Sequence, residues 1–204
     1  MKKTIITLAA AFLLVLSALA QKPSVGITAG ATISNYKAKA DGEDQTAKSK
    51  AGFTGGLIAN IPAGKNFMIQ TGAHWVQKGT KDEQDGDKVS ITVNSIEVPV
   101  NFLYNSNGFF IGAGPSVSFA VSGKGKFNDL SAKLHFGNSD ADDMKSFDFG
   151  ANVLTGYQSP GGFLIAANFN QGLSNLMPGS SGNGTLKSHY FGIRLGYILN
   201  AKKS

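Results

Sequence analysis

The sequence predicts an all-β protein, an eight-stranded antiparallel up-and-down transmembrane β-barrel with short periplasmic turns and longer extracellular loops. Three observations support this prediction. Apolar residues alternate with small or polar residues along eight segments, the connections alternate between long and short, and the apolar phase of the segments contains no charged residue. Beyond the first twenty residues, no segment has the 3.6-residue period of an amphipathic helix.

The first twenty residues have the features of a secretory signal peptide. Two lysines precede an apolar run, and Ala18 and Ala20 form the small-x-small pattern that signal peptidase requires. The run is shorter than the roughly 20 residues that a spanning helix needs, so we favour cleavage after Ala20 over an uncleaved anchor. The expected organisation is a signal peptide over 1–20 and an outer-membrane β-barrel domain over 21–204.

The composition excludes some classes of site. The chain has 204 residues, no Cys and a formal net charge of +6. Without Cys there is neither a disulfide framework nor a thiol-ligated metal. The lysines are spread over predicted loops among acidic residues and are not gathered on one face, and an exported protein meets little nucleic acid. We therefore expect no nucleic-acid partner.

The eight alternating segments are each close to the length of a tilted strand that crosses a membrane. Their apolar phases run over Val25–Ile33, Phe53–Ile61, Phe67–Trp75, Ile96–Tyr104, Phe109–Phe119, Phe147–Tyr157, Phe163–Phe169 and Phe191–Leu199.

The connections between these segments are sorted by length. The long ones cover about 36–50, 79–88, 122–146 and 177–185, and the short ones cover 62–66, 105–108 and 159–162. Loops at one end and tight turns at the other are typical of an outer-membrane barrel, whose turns lie in the periplasm.

One segment breaks the alternation. Val89, Ile91 and Val93 are in one phase, whereas the apolar residues from Ile96 onward are in the other. Either a β-bulge near Asn94 and Ser95 or a boundary between loop and strand explains the slip.

The polar phase decides between a soluble and a membrane barrel. A lipocalin-like barrel would keep its apolar phase inside and place Lys and Glu outside, whereas a membrane barrel is inverted. Here the second phase is rich in Gly, Asn and Ser, which suit a narrow lumen. An eight-stranded barrel has an interior only wide enough for its own side chains, so we do not expect general porin activity.

Aromatic residues lie at the borders of the segments and predict girdles at the two membrane interfaces. The alternative is that these rings are ordinary core residues. The predicted girdle comprises Phe67, Trp75, Tyr104, Phe109, Phe119, Tyr157, Phe163, Phe169 and Tyr197.

Three charged residues in the polar phase predict a charge network in the lumen. Buried charges are costly unless paired, so we expect Arg194, the only arginine, to meet Glu97 or Asp148. Gln70, His74 and Asn152 would complete a hydrogen-bonded plug. We favour a structural plug over the alternative, which is a gate that switches partners to admit ions.

No motif of the chain predicts catalysis, a cofactor or a metal, and we expect no enzyme. His74 with Lys78 at the outer rim, or His74 with Ser116, are catalytic candidates by elimination alone. The run 138–143 resembles the start of an EF-hand loop, but Asp143 stands where the loop requires Gly. Gly112-Ala113-Gly114 lies inside a strand segment and is no dinucleotide site.

The chain resembles the PorT family of outer-membrane β-barrel proteins of Gram-negative bacteria over nearly all of its mature length. The most specific stretch is Ser95–Tyr104, which is similar to the family's Tyr-Leu-Glu-Ile-Pro-Leu strand although Ser95 replaces the tyrosine. Supporting pieces are Gly112-Ala113-Gly114-Pro115, Phe147-Asp148-Phe149-Gly150, Gly172-Leu173-Ser174-Asn175 and Gly196-Tyr197. The last segment ends without the usual terminal aromatic, so recognition by the assembly machinery would rest on Tyr197.

Three functions follow as hypotheses. The first is a non-enzymatic outer-membrane barrel with a structural or surface-binding role through its loops, OmpA/OmpX-like in form. The second, implied by the resemblance, is an accessory of a protein-secretion system. The third is a lipid-modifying barrel enzyme. The expected partners are outer-membrane lipids and lipopolysaccharide, the barrel-assembly machinery during insertion, and surface or secretion proteins.

Overall fold

The computed structural model describes residues 23–40, 43–84, 87–128, 130–179 and 184–199, so the predicted signal peptide lies outside the described residues. Within them, no helix is long and apolar enough to cross a membrane. The strands are β1 (Ser24–Ala40), β2 (Glu43–Thr46), β3 (Lys48–Pro62), β4 (Phe67–Gln84), β5 (Asp87–Ser106), β6 (Phe109–Phe127), β7 (Leu130–Lys133), β8 (Phe147–Gln158), β9 (Phe163–Gly172) and β10 (Thr185–Ile198).

Eight of these strands close into an antiparallel ring. The order is β1-β3-β4-β5-β6-β8-β9-β10, and β10 pairs back with β1 from Gly26↔Ile198 to Lys39↔Thr185. The short strands β2 and β7 are not part of the ring; β2 pairs with the loop end of β1, and β7 pairs with the loop end of β6. The predicted eight-stranded barrel is confirmed.

The two faces of the wall are inverted relative to a soluble barrel. Leu57 and Phe102 are each 62% exposed on the outer wall, while their chain neighbours Ile58 and Leu103 are 3% and 1% exposed in the lumen. An outer wall this apolar is favourable in contact with lipid and unfavourable in contact with water. The lipocalin-like alternative is therefore excluded.

The turn between β5 and β6 has two residues. Asn107 and Gly108 have φ values of 52° and 85°, as a type I′ hairpin requires. Residues other than Asn and Gly rarely adopt this conformation, so the sequence itself specifies the tight turn.

The phase slip in β5 is accompanied by a bulge at the predicted level, but neither that bulge nor a boundary between loop and strand explains the slip by itself. Asn94 pairs with Ser122 and Ser95 pairs with Ala120, so a bulge lies at the predicted level but its extra residue is Val121 of β6. In β5 itself, Val93, Ser95 and Glu97 continue one buried phase. The apolar pattern of β5 changes because the lumen becomes apolar toward its loop end.

The third and fifth connections are more ordered than predicted. Strands β4 and β5 pair continuously to Gln84↔Asp87, and β6 and β7 continue the sheet to Phe127↔Leu130. We call this protruding sheet, residues 79–84, 87–94, 121–127 and 130–133, the tongue. Backbone ladder bonds between long strands extend here past the part of the barrel that faces lipid.

Candidate functional site

The turn end of the lumen is closed by an apolar cluster. Its buried members come from six ring strands, and Met68 packs against them; they are Ile58, Leu103, Phe110, Leu154, Leu164, Ala166 and Ile198. These residues belong to the phase that is mostly polar elsewhere, so the lumen changes from apolar to polar along its axis.

Amide side chains fill the next layer. The Asn152 amide donates to Asn101 at 3.0 Å and the Asn168 amide donates to Asn152 at 3.1 Å. Gln70 donates to Asn60 at 2.9 Å on the neighbouring strands. All these amides are buried, and their mutual hydrogen bonds offset the cost of removing them from water.

An ion pair lies above the amides. Lys78 Nζ is 3.2 Å from Glu97 Oε2, and each side chain is only 3% exposed. Glu97 Oε2 has this ion pair but no hydrogen bond from a described residue. The Tyr190 hydroxyl donates to the other carboxylate oxygen, Glu97 Oε1, at 2.5 Å. The Lys78 ammonium also lies 5.2 Å from the centre of the Tyr190 ring. Lys78, Glu97 and Tyr190 therefore form one connected cluster, joining β4, β5 and β10 across the lumen.

Arg194 has a different partner from the one predicted. Its Nη1 lies 3.3 Å from both ring nitrogens of His74, and no carboxylate oxygen of a described residue lies within 4 Å. Asp148 instead accepts a hydrogen bond from the Ser188 hydroxyl at 2.6 Å. The expected pairing of Arg194 with Glu97 or Asp148 is wrong, because Lys78 already occupies the carboxylate of Glu97 and Asp148 lies near the loop end of β8.

A second apolar cluster lies at the loop end of the lumen. Tyr36, Val93, Met144 and Leu176 are its buried members, and the last two come from the connections that follow β7 and β9. The polar layers thus lie between two apolar clusters. This arrangement fills the lumen with side chains and favours a plug over an open pore.

The residues considered for catalysis do not meet at the rim. His74 lies in the lumen against Arg194, and the Ser116 hydroxyl accepts a hydrogen bond from the Asn170 amide at 2.7 Å, also in the lumen. The placement of His74 with Lys78 at an outer rim is therefore corrected. The predicted charge network did not include Lys78. Lys78 has the same even-numbered phase in β4 as His74, and this spacing could have predicted that it points into the lumen.

The acidic run 138–143 uses its carboxylates locally. Asp142 Oδ2 accepts from the Ser139 backbone amide and hydroxyl, at 2.9 and 2.6 Å. Asp143 Oδ2 accepts from the His135 amide and lies 3.4 Å from its ring Nδ1. Across the described residues, no group of three or more potential ligands could hold a metal ion.

The predicted girdle residues lie on the outer wall at two levels. Near the turns, the rings of Phe67 and Tyr104 are 5.5 Å apart, those of Phe109 and Tyr157 are 4.8 Å apart, and Phe163 pairs with Tyr197 in register. Trp75, Phe119 and Phe169 lie at the other level, which we call the loop-end belt. There Phe119 stacks edge-on against Phe147 at 5.2 Å.

Comparisons with known proteins agree with this architecture. A family model described as outer membrane protein beta-barrel domain matches residues 19–177. The fold is similar to Ail of Yersinia pestis, solved in complex with the heparin analogue sucrose octasulfate (TM-score 0.50, 14% identity, 88% of this chain and 100% of that chain). It is also similar to Neisserial surface protein A (TM-score 0.51, 11% identity, 87% and 99%). No curated protein matches the sequence.

Proposed function

Since the chain belongs to the outer membrane protein beta-barrel domain family, we propose that it is a non-enzymatic integral outer-membrane protein that binds ligands at the cell surface through its tongue and loops. The observation that carries this proposal is the filled lumen. Apolar clusters lie at both ends of the polar layers, and the cavity among Lys78, Ser118 and Asp148 has a volume of only about 10 Å³. The surface beyond the loop-end belt is then the part of the molecule that can contact ligands outside the cell.

The tongue supports a binding role because its inner face is apolar. Val89, Phe127 and Leu130 are 42%, 50% and 75% exposed there. Their positions follow the inward phase of β5 and β6, but these side chains stay exposed because the other described residues do not cover them. Contiguous exposed apolar surface above the membrane is typical of a site that contacts another molecule.

Single-cysteine labelling tests the orientation that this proposal needs. The chain has no Cys, so Leu130→Cys in the tongue and Lys65→Cys in the β3–β4 turn each introduce one thiol. On intact cells, a membrane-impermeant maleimide should label the first and not the second, whereas both should react after lysis. Labelling of Lys65→Cys alone on intact cells would contradict the proposal.

A shortened tongue tests the binding role itself. Joining 80 to 91 through an Asn-Gly turn removes the tip of the β4–β5 hairpin and leaves the lumen residues in place. Cells with the intact protein should adhere to at least one class of immobilised host protein or glycan, and cells with the shortened protein should not. Equal adhesion, or a changed lipid A mass spectrum on expression of the intact protein, would count against a non-enzymatic surface binder.

Within the family, we infer a PorT-type barrel from the strand Ser95–Tyr104. In β5 this stretch directs Glu97, Pro99 and Asn101 into the lumen. An accessory role in secretion would follow from that resemblance. Pull-down from cross-linked envelopes tests the role: co-purification of secretion components, lost in the shortened-tongue variant, would favour it over the binding of external ligands.

A further inference from the structure

The outward face of the tongue is basic. On β4, Lys81 continues the odd-numbered phase of Trp75, so it points away from the lumen. The register then places further lysines on the same face of the adjacent strands. We call this set the basic face; it comprises Lys48, Lys50, Lys81, Lys124, Lys126 and Lys133. The sequence-based expectation that the lysines are not gathered on one face is therefore wrong.

Like charges are directly opposed within the basic face. Lys48 is the register partner of Lys81 between β3 and β4, and Lys124 is the partner of Lys133 between β6 and β7. Directly opposed like charges destabilise a sheet. Among the described residues, no carboxylate oxygen lies within 4 Å of these four ammonium groups, while the nearby Glu83 is paired with Lys88 at 3.7 Å.

The same repulsion reaches the partly buried lysine above the membrane. Lys50 lies three residues beyond Phe53, on the loop side, and donates to the Thr92 hydroxyl. Burial, followed by the charges of Lys126 and Lys81, lowers the pKa of Lys50. The fold thus concentrates positive charge here, and no salt bridge among the described residues neutralises these lysines.

The height of the basic face identifies the kind of anion that would neutralise it. With about 3.3 Å per residue and a strand tilt of about 40°, Lys50 lies about 8 Å above the level of Phe53 and Lys81 about 15 Å above Trp75. A lipid headgroup layer begins at the aromatic level and extends several ångströms outward. The lysines therefore lie at headgroup depth and above it, on the outward face of strands that continue the lipid-facing wall.

We propose that the basic face binds the phosphate groups of a phosphorylated glycolipid in the outer leaflet. Ammonium groups bind phosphates strongly through charge-assisted hydrogen bonds, and the hydroxyls of Ser90 and Thr92 lie between the lysine rows as additional donors. This inference goes beyond the proposed function, because the lipid site is on the outer wall and does not involve the apolar inner face of the tongue.

The test measures binding of bisphosphorylated lipid A to the purified full barrel in detergent. Lys48→Gln/Lys81→Gln should weaken binding on the order of tenfold. The control Lys65→Gln, in the β3–β4 turn at the opposite end of the barrel, lies outside the proposed site and should bind like the wild type. Dephosphorylated lipid A should bind the wild type as weakly as bisphosphorylated lipid A binds the site variant.

Three results would overturn the proposal. They are equal binding by the wild type and the site variant, equal binding of phosphorylated and dephosphorylated lipid A, and lysine-dependent binding of sucrose octasulfate without lysine-dependent binding of lipid A. If the first site variant does not show the heat-modifiable gel mobility of a folded barrel, Lys124→Gln/Lys126→Gln tests the same face.

Stability gives a second readout. Because Lys48 opposes Lys81, Lys48→Gln/Lys81→Gln should raise the urea midpoint of the lipid-free barrel. Addition of bisphosphorylated lipid A should raise the midpoint of the wild type more than that of the variant. Equal shifts for both proteins would contradict the site. The surface-labelling result, and adhesion by cells that carry the intact tongue, do not depend on this outcome, so failure of either proposal is distinguishable from failure of the other.

Discussion

Lys78 and Glu97 form an ion pair inside the barrel, with Nζ 3.2 Å from Oε2 and both side chains almost fully buried. The Tyr190 hydroxyl donates to the other oxygen of the same carboxylate. The ion pair belongs to the β4–β5 hairpin and Tyr190 to the distant strand β10, so the cluster fixes how β10 lies relative to β4 and β5.

Removal of one partner of this pair should cost more than removal of both. Lys78→Met leaves the Glu97 charge buried and should lower the free energy of unfolding by about 3–5 kcal/mol. Lys78→Met/Glu97→Gln should recover most of that loss, because no uncompensated charge remains. Urea unfolding of the refolded barrel gives both values. Additive losses in the two single variants and the double variant would show that the residues are not coupled.

Arg194→Met tests whether the lumen is a gate. The guanidinium contacts His74 rather than a carboxylate, and apolar clusters lie toward both ends of the lumen. We therefore expect neither the wild type nor the variant to conduct ions in planar bilayers. A current in the wild type that changes in Arg194→Met would support the gate and contradict the plug.

Gly114→Ala should disturb closure between β5 and β6. A Cβ at this position would lie 1.9 Å from the Val100 carbonyl oxygen, which backbone cannot accommodate without shifting. We expect a loss of about 1–3 kcal/mol, as for an overpacked core, measured by urea unfolding. Gly55→Ala is the matched control, because its nearest atom, the Thr28 carbonyl oxygen, would be 3.5 Å away. Equal losses would contradict the close approach.

Gly108→Ala should destabilise the type I′ turn. Its φ of 85° is unfavourable for a residue with a side chain, and the added Cβ would lie 2.5 Å from the Gln158 carbonyl oxygen. We expect a loss of about 1–2 kcal/mol and slower refolding. Gly161→Ala, in the β8–β9 turn, should have little effect because the nearest atom is 3.9 Å from its added Cβ. Similar refolding rates for the two variants would count against the turn as a determinant.

Acid should loosen the segment around Asp142. Side-chain and backbone hydrogen bonds from Ser139, and then the charge of His135, lower the pKa of this exposed carboxyl below 3.8. A group with a lowered folded pKa stabilises the fold above its unfolded pKa, and this contribution is lost as pH falls through the folded value. Ser139→Ala should move the Asp142 pKa upward in an NMR titration. An unchanged pKa would show that another group lowers it.

Much of the fold was predictable from local pattern. A sequence period of two is enough to place Leu57 on the outer wall and its neighbour Ile58 in the lumen. The residues Asn107 and Gly108 specify the tight turn that they form. The membership of the charge network was predictable only in part, because Lys78 was missed, and its pairing was not predictable. Glu97, Arg194 and His74 share the inward phase, yet which of them meet depends on the stagger of strands around the ring, and no single strand encodes that stagger.

The sequence by itself determined that the chain forms an inverted, eight-stranded barrel, because side chains along each strand point alternately to the lipid and to the lumen, and the apolar residues follow this alternation. Tertiary structure alone decided that Lys78 rather than Arg194 neutralises Glu97, that Val121 supplies the bulge, and that Lys48 of β3 is opposed to Lys81 of the tongue. These relationships depend on the register between strands, which the alternation along a single strand does not fix.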